Sequence, residues 1–484
     1  MPPAASASPQ PASDLCARPA RELGTLLQTR AVSAVEVLAA HLARIGVLNP
    51  ALNAIVTLDP EGARAQAAAI DARRARGEAL GPFAGLPIAI KDMEPTRGMR
   101  TTLGSPIYRD WIPDHDSLMV ERLRAHGLVV IGKTNTPEFA MGSQTFNTIF
   151  GATRNPWDPT KTCGGSSGGA AVCVATHMLP FADGSDLGGS LRNPGNFNHV
   201  FGLRPSPGRV PDWPSVEGWQ GLSVLGPIAR TASDAAFLLA AMAGADSRDP
   251  LSIAEDPAIF LQPLARDLRG VRVAVSRDLG GLPVDPEVAR VLEHGAALLR
   301  DQGCIVEDAE PDLSGADLAF DTLRALLLAG RHARLLDAHR HEMKDTAVWN
   351  IEQAWKLTPS EVVAAHLART AVFHAMRRFL DRYEFLIAPV NQVPPFPVDQ
   401  PFVTEINGVP MASYIDWMRT CTRISATSHP AASVPCGFTR DGLPVGMQIV
   451  GRYRGELSVL QLAHAFEQAN PHARRQPPIL AGPD

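Results

Sequence analysis

Apolar residues recur along this chain with two alternating periods, and the switches between them lay out its elements. Ser33-Ala-Val-Glu36 has the residues of a capping box, and the spacing predicts a helix from there to about Arg44. Residues 61–76 continue the helical pattern, with Gly77 as its stop. A short apolar run, Leu86-Pro-Ile-Ala-Ile90, has strand character and ends at Lys91-Asp92. Asp116 or Ser117 caps a further helix that Gly127 ends, and 128–131 reads as a second strand. Beyond these the pattern predicts helices over 233–243, 285–301, within 315–342 and 359–381, and over 456–469. Strands are expected over 272–276, 304–307 and 385–389, and near 432–436 and 445–450. Such alternation predicts a layered α/β fold with a mostly buried sheet. Neither a fixed repeat nor a composition break forces a boundary inside 20–470, so one catalytic-size domain is expected over 15–470. A disordered, Pro/Ala/Ser-rich tail at 1–14 and a C-terminal tail at 471–484 flank it.

Composition narrows the classes. With 484 residues, 45% hydrophobic and 20% charged, the chain has ample material for a core, which excludes disorder along its length. Lys and Arg number 45 against 50 Asp and Glu, a net charge of −5 with both signs interspersed. No basic surface therefore points to nucleic acid or an anionic membrane, and a small molecule is the expected partner. The longest apolar stretch, 235–245, is half the ~20 residues a spanning helix needs and reads as a buried helix. The N-terminus has no basic start and no apolar h-region, so a cytoplasmic location is expected. Six cysteines, never closer than ten residues apart, leave no CxxC metal site and no dense disulfide framework, and most are expected as buried free thiols. The 40 glycines and 42 prolines exceed the usual combined share of ~12%, which predicts many ordered loops.

One stretch breaks the alternation. It runs Thr162-Cys-Gly-Gly-Ser166-Ser167-Gly-Gly-Ala-Ala, then a helical segment to about His177, then Asp183-Gly-Ser-Asp186-Leu-Gly-Gly-Ser190-Leu-Arg192-Asn-Pro194. Glycines on both sides of a serine let successive N–H groups point into one small space, a geometry that suits an oxyanion. Competing motifs are weaker. Gly127-Leu-Val-Val-Ile-Gly132-Lys133-Thr134 matches the phosphate-loop expression, but Leu-Val-Val-Ile is a buried strand whose N–H groups belong to a ladder. Gly-x-Ser-x-Gly occurs around Ser166 and Ser167, yet the preceding Asn155-Pro-Trp-Asp-Pro cannot form the strand that a nucleophile elbow requires. His341-Glu-Met-Lys-Asp345 has Asp where the zinc signature needs its second His, so no catalytic metal is expected. Lys91, closing an apolar strand, would by itself be a lysine snorkelling to solvent.

The combination changes that reading. Leu86-Pro-Ile-Ala-Ile-Lys91-Asp92, Gly132-Lys-Thr-Asn-Thr-Pro-Glu-Phe139, Gly164-Gly-Ser-Ser-Gly-Gly169 and Gly184-Ser-Asp-Leu-Gly-Gly-Ser-Leu-Arg-Asn-Pro194 resemble, in order and spacing, the amidase signature family of hydrolases. Phe201-Gly-Leu-Arg-Pro-Ser-Pro-Gly-Arg209 and Gly442-Leu-Pro-Val-Gly-Met-Gln-Ile-Val-Gly451 extend the similarity across roughly 20–470. The resemblance implies a mixed, twisted central β-sheet sandwiched by α-helices. It places a Ser–Ser–Lys triad on Ser190 (nucleophile), Ser166 (bridge, beside a cis peptide bond) and Lys91 (base). It also implies oxyanion-hole amides from Leu187, Gly188, Gly189 and Ser190. Asp186, Arg192 and Ser167 fall in supporting positions, and Arg209 reads as a loop support. No metal or organic cofactor is needed.

Chemistry sets a condition on this reading. A serine hydroxyl needs a neighbour to take its proton during attack, and Lys91 can do so only when neutral. With a reference pKa near 10.4, only about one lysine in 2,500 is neutral at pH 7, and a pKa near 7 requires a shift worth roughly 4–5 kcal/mol. Desolvation at the end of a buried strand can supply it. The resemblance implies an amide, ester or carbamate as substrate, and the chain is expected as a stand-alone monomer or homodimer. The resemblance extends to the family's urethanases, which split aryl carbamates. The alternative is the family's tRNA-dependent amidotransferase subunit, which hydrolyses glutamine within a complex. That subunit has Lys-Arg-Arg-Ile followed by Gly-Thr-Tyr where residues 350–378 here contain Ile351-Glu-Gln-Ala-Trp355 and Ala364-Ala-His-Leu, which disfavours it. Trp111, Trp213, Trp219, Trp349, Trp355 and Trp417 fall near loops and are candidates either for an apolar cleft suited to aryl amides or for ordinary packing.

Overall fold

Strands read from apolar runs assemble into the two larger of four sheets in a computed structural model that describes residues 12–481. The large sheet has eight strands, in the order Ile305–Asp308, Arg272–Val275, Phe385–Pro389, Pro444–Val450, Ala431–Phe438, Phe201–Arg204, Val224–Ala229 and Phe181–Asp186. Its first three strands are parallel and the remaining pairings antiparallel, a mixed sheet. A separate three-stranded sheet orders Ile55–Leu58, Val129–Thr134 and Pro87–Lys91. Helices cover both faces of the large sheet, as alternation along one strand makes visible. Phe385 and Ile387 pack with Val291, Leu299 and Leu460, whereas Leu386 and Ala388 pack with Phe320, Val372 and Ile424 on the other side.

Local signals predicted most elements to within a few residues. Ser33 and Glu36 form the expected capping box on Ala34–Leu52, and Ser117 caps Leu118–Ala125. The helix Ala34–Leu52 runs further than Arg44, through Pro50, and its 19 residues are long and apolar enough to cross a membrane by length and composition. Val37, Leu38, Ile45 and Leu52 on it are packed in the core. Glu36, His41 and Arg44 interrupt its apolar run in the sequence, which is why 235–245 looked longer. Ala232–Met242 is the buried helix expected there. All six cysteines are buried and free.

Some elements lacked a local signal. Phe181–Asp186 is Phe-Ala-Asp-Gly-Ser-Asp, composed largely of poor strand formers, and it pairs only because Val224–Ala229 and the core hold it in place. At the tails, the stretch expected to be disordered over 1–14 lies outside the described residues as far as 11, while Ala12–Ala17 are helical. Of the C-terminal tail, residues 482–484 lie outside the described residues and Pro478–Leu480 form a single 3-10 turn. The phosphate-loop look-alike runs along Val129–Thr134, buried at every position, with Lys133 Nζ donating to the Glu94 carbonyl (2.6 Å) and Thr96 Oγ1 (2.9 Å).

Candidate active site

The small sheet meets the large one at Lys91. Pro87–Lys91 is buried throughout, and the Lys91 N–H donates to Asp183 Oδ1 on the edge strand Phe181–Asp186 (3.0 Å). That contact pins the strand end, so the side chain extends inward: Lys91 is 1% exposed. Its Nζ lies 2.8 Å from Ser166 Oγ, 2.9 Å from Ser167 Oγ and 2.9 Å from Ser185 Oγ. Burial pulls the amine down to about 7, against the opposing pull of Asp183, Glu94 and Asp186. Burial in turn pushes the Asp183 carboxyl up to about 6. The lone-lysine expectation of a solvent-facing tip does not describe this side chain.

Ser166 and Ser167 sit in the turn before the helix Gly168–Ala175, and the Gly165–Ser166 peptide bond is cis. The Ser167 N–H donates to the Ser190 carbonyl (3.2 Å), which ties the two serine segments together. Ser190 is half-buried, and among the described residues its hydroxyl makes no hydrogen bond. Catalytic hydrogen bonds are often completed only when substrate is bound.

The loop after Phe181–Asp186 is organised by one carboxylate. Asp186 accepts from Arg192 Nε and Nη2 (3.0 and 2.9 Å), from Arg204 Nη1 (3.1 Å), and from the N–H groups of Gly189 (2.9 Å) and Leu191 (3.2 Å). Burial acts to raise this carboxyl, but Arg192 and Arg204 override it and hold it well below the usual range. Two consequences follow for the expected oxyanion hole and its supports. The Gly189 N–H is already engaged, whereas those of Leu187, Gly188 and Ser190 have no partner among the described residues. Arg192 is fully buried and also donates to the Cys421 carbonyl, Gln448 Oε1 and Ser425 Oγ, so it braces the loop and does not face a ligand. Gly189 adopts φ +122, and a Cβ there would lie 2.7 Å from Cys421 Cβ. Arg209 binds Glu456 (Nε–Oε2, 3.0 Å) and Glu255, away from the serines, as a loop support.

Ser190, Leu187 and Gly188 open on a small pocket walled by Phe320, Leu328, Tyr414 and Met418. Arg324 is also in its wall. A larger cavity of about 740 Å³ lies elsewhere, lined by Trp157, His199 and Arg475 among others, and contains none of Lys91, Ser166 and Ser190. None of the tryptophans lines the Ser190 pocket. Trp417 is buried and donates to Ser143 Oγ (3.2 Å), Trp219 and Trp355 are exposed, and Trp349 packs edge-on behind Tyr414. The aromatic wall is instead Phe320 and Tyr414. Sequence reasoning missed these two, and also Asp183 and Ser185. The last two lay inside the Gly-Ser-Asp run already singled out, but which side chains face Lys91 depends on a strand that propensity does not reveal.

Comparison with known proteins identifies the family and the fold. The Amidase family profile matches residues 36–460. A glutamyl-tRNA(Gln) amidotransferase subunit of Geobacillus stearothermophilus is 36% identical over 481 residues, covering 94% of this chain and 98% of that protein. A bacterial aryl acylamidase of the amidase signature enzymes, 30% identical, superposes with a TM-score of 0.89 over 96% of this chain and 99% of its own. The glutamyl-tRNA(Gln) amidotransferase subunit from Thermotoga maritima, 27% identical, superposes at 0.76 over 95% and 96%. The curated relatives thus carry the name of the alternative that residues 350–378 disfavoured.

Proposed function

This chain belongs to the amidase signature family, and from that premise we propose that it hydrolyses the amide bond of a largely apolar small molecule through Ser190, Ser166 and Lys91. The observation that carries the reading is the buried Lys91 amine, 2.8 Å from Ser166, behind a serine that opens on an apolar pocket. Ser190 Oγ attacks the carbonyl carbon as its proton passes to Ser166, whose own proton passes to neutral Lys91. The new C–O bond leaves a negative oxygen, which the N–H groups of Leu187, Gly188 and Ser190 meet; each such donor is worth about 10²–10³ in rate. When the C–N bond breaks, the proton returns through Ser166 to the departing nitrogen. Water then attacks the acyl-Ser190 ester as its proton passes through Ser166 to Lys91, and that proton returns to Ser190 Oγ when the ester C–O bond breaks, releasing the acid and restoring the serine. Esters and aryl carbamates present the same carbonyl to the same groups, so their turnover follows from this scheme.

A second reading, glutamine amide hydrolysis as one component of an amidotransferase complex, is favoured by the 36% identity to such subunits. The pocket argues for the first. Free glutamine carries an ammonium as well as a carboxylate, and among the described residues no Asp or Glu lines the Ser190 pocket to pair with it. A fluorophosphonate should label the native chain and not Ser190→Ala, which should also lose all turnover; normal turnover in that variant refutes the assignment. A panel of p-nitroacetanilide, an aryl carbamate, a fatty amide and glutamine then separates the readings. Hydrolysis of glutamine alone, or copurification with partner subunits, decides for the second.

A further inference from the structure

The wall of the Ser190 pocket contains a buried cation that, among the described residues, no carboxylate neutralises. Phe320, Arg324 and Leu328 are spaced four apart on the helix Ala316–His339 and so share one face, which lines the pocket. Phe320 lies against the oxyanion loop: a Cβ on Gly188 would be 2.8 Å from its Cζ. Arg324, one turn further on, is 5% exposed. One guanidinium nitrogen, Nη2, donates to Asn350 Oδ1 (2.5 Å) and to the Tyr414 hydroxyl, and the guanidinium carbon lies 5.5 Å from the centre of the Tyr414 ring. Asn350 Nδ2 donates to the same hydroxyl (2.9 Å), which locks the three side chains together. Neutral partners therefore hold the group in place, while Nε and Nη1 have no partner among the described residues. On the same helix, Asp321 is paired with Arg419 and Asp317 with Arg423. A buried guanidinium without a counter-ion is expensive to maintain, and a site that holds one ready suits a ligand that brings the missing charge.

We propose that Arg324 is the specificity-determining residue of this pocket and that the substrate is an amide carrying a carboxylate at the end of an apolar segment. The inference rests on the reading of Ser190 as the nucleophile. The carboxylate pairs with the guanidinium at one of its free N–H groups, on Nη1 or on Nε, its apolar segment lies along Phe320 and Leu328, and the scissile carbonyl falls at Ser190. A monoamide of a dicarboxylic acid or the amide of an apolar amino acid bearing a free carboxylate has this form. Free glutamine does not, since its ammonium would enter the same apolar wall.

Two matched substrate pairs test this: glutaryl- against butyryl-p-nitroanilide, and N-butyryl-4-aminobenzoate against butyranilide. A charge-assisted pair of this kind corresponds to about 10- to 100-fold, so in one pair the charged member should have the higher kcat/KM by that factor, mostly through KM. Arg324→Met should collapse that ratio to about one, and Arg324→Lys should restore part of it. Wild-type protection gives a second readout that needs no variant: glutarate should slow fluorophosphonate labelling of Ser190 at concentrations where glutaramide does not. Equal kcat/KM within both pairs, or equal protection by the acid and its diamide, overturns the inference while leaving the nucleophile in place. Absence of labelling at Ser190 would instead overturn the reading on which it rests.

Discussion

The rate of an amidase that uses Lys91 as its base must follow the protonation of that one amine. Burial brings Lys91 from its ordinary 10.5 to about 7, a differential of about 5 kcal/mol between its two charge states. With an inflection there, about half the molecules hold a neutral lysine at pH 7, about a tenth at pH 6 and about nine-tenths at pH 8. The acid limb of kcat/KM should therefore rise about tenfold per pH unit below ~6 and level off above ~8. Burial sets most of that inflection, and the Asp183 carboxylate, which accepts from the Lys91 backbone N–H at 3.0 Å, opposes it. Its charge stabilises the ammonium, so Asp183→Asn, which keeps an acceptor oxygen, should move the limb to lower pH. Stability has its own sign. Between about 7 and 10.5 the unfolded chain binds the proton that the folded chain has lost, so this group makes the protein more stable as pH rises through that window. Below about 7 its destabilising effect is fully present. The assay is initial-rate hydrolysis of a p-nitroanilide from pH 5 to 9.5, with Lys91→Met as the companion. A profile with no limb near 7, or a Lys91→Met variant retaining more than about a hundredth of the activity, refutes the argument.

Three further outcomes are expected. Asp186→Asn leaves Arg192 and Arg204 buried without their shared carboxylate and loosens the loop, so urea denaturation should register a loss of about 3–5 kcal/mol. Gly189→Ala places a Cβ at φ +122 and 2.7 Å from Cys421, so the loop must shift and kcat should fall by about 100-fold, read against an unchanged far-UV spectrum. Trp219→Ala, on a side chain 81% exposed and outside the pocket, should leave kcat/KM unaltered and stability within about 0.5 kcal/mol; a marked loss of activity would restore a tryptophan cleft.

What the linear order determined is what short-range chemistry can write. Ser33 with Glu36, Ser117, Gly77 and Gly127 mark helix ends because caps and positive φ are properties of a few consecutive residues. The apolar runs at 86–90, 128–131 and 385–389 mark strands because burial on both faces removes polar residues from them. The segments around Lys91, Ser166 and Ser190 were legible as candidates because each is a contiguous Gly/Ser or strand-end phrase. What only the tertiary structure decided is which groups from distant segments face one another. The strand Phe181–Asp186 has no local preference for its conformation, yet it delivers Asp183 and Ser185 to Lys91 and Asp186 to the Gly-Gly-Ser loop that follows it. The spare N–H at Gly189 turned out to be taken because a carboxylate three residues earlier folds back onto it. Arg324, Asn350 and Tyr414 meet from three separate segments, and six tryptophans that composition offered for the pocket went elsewhere. Propensity and patterning are summed over neighbours in the chain, whereas a site is a set of distances between residues that only the closed core brings together.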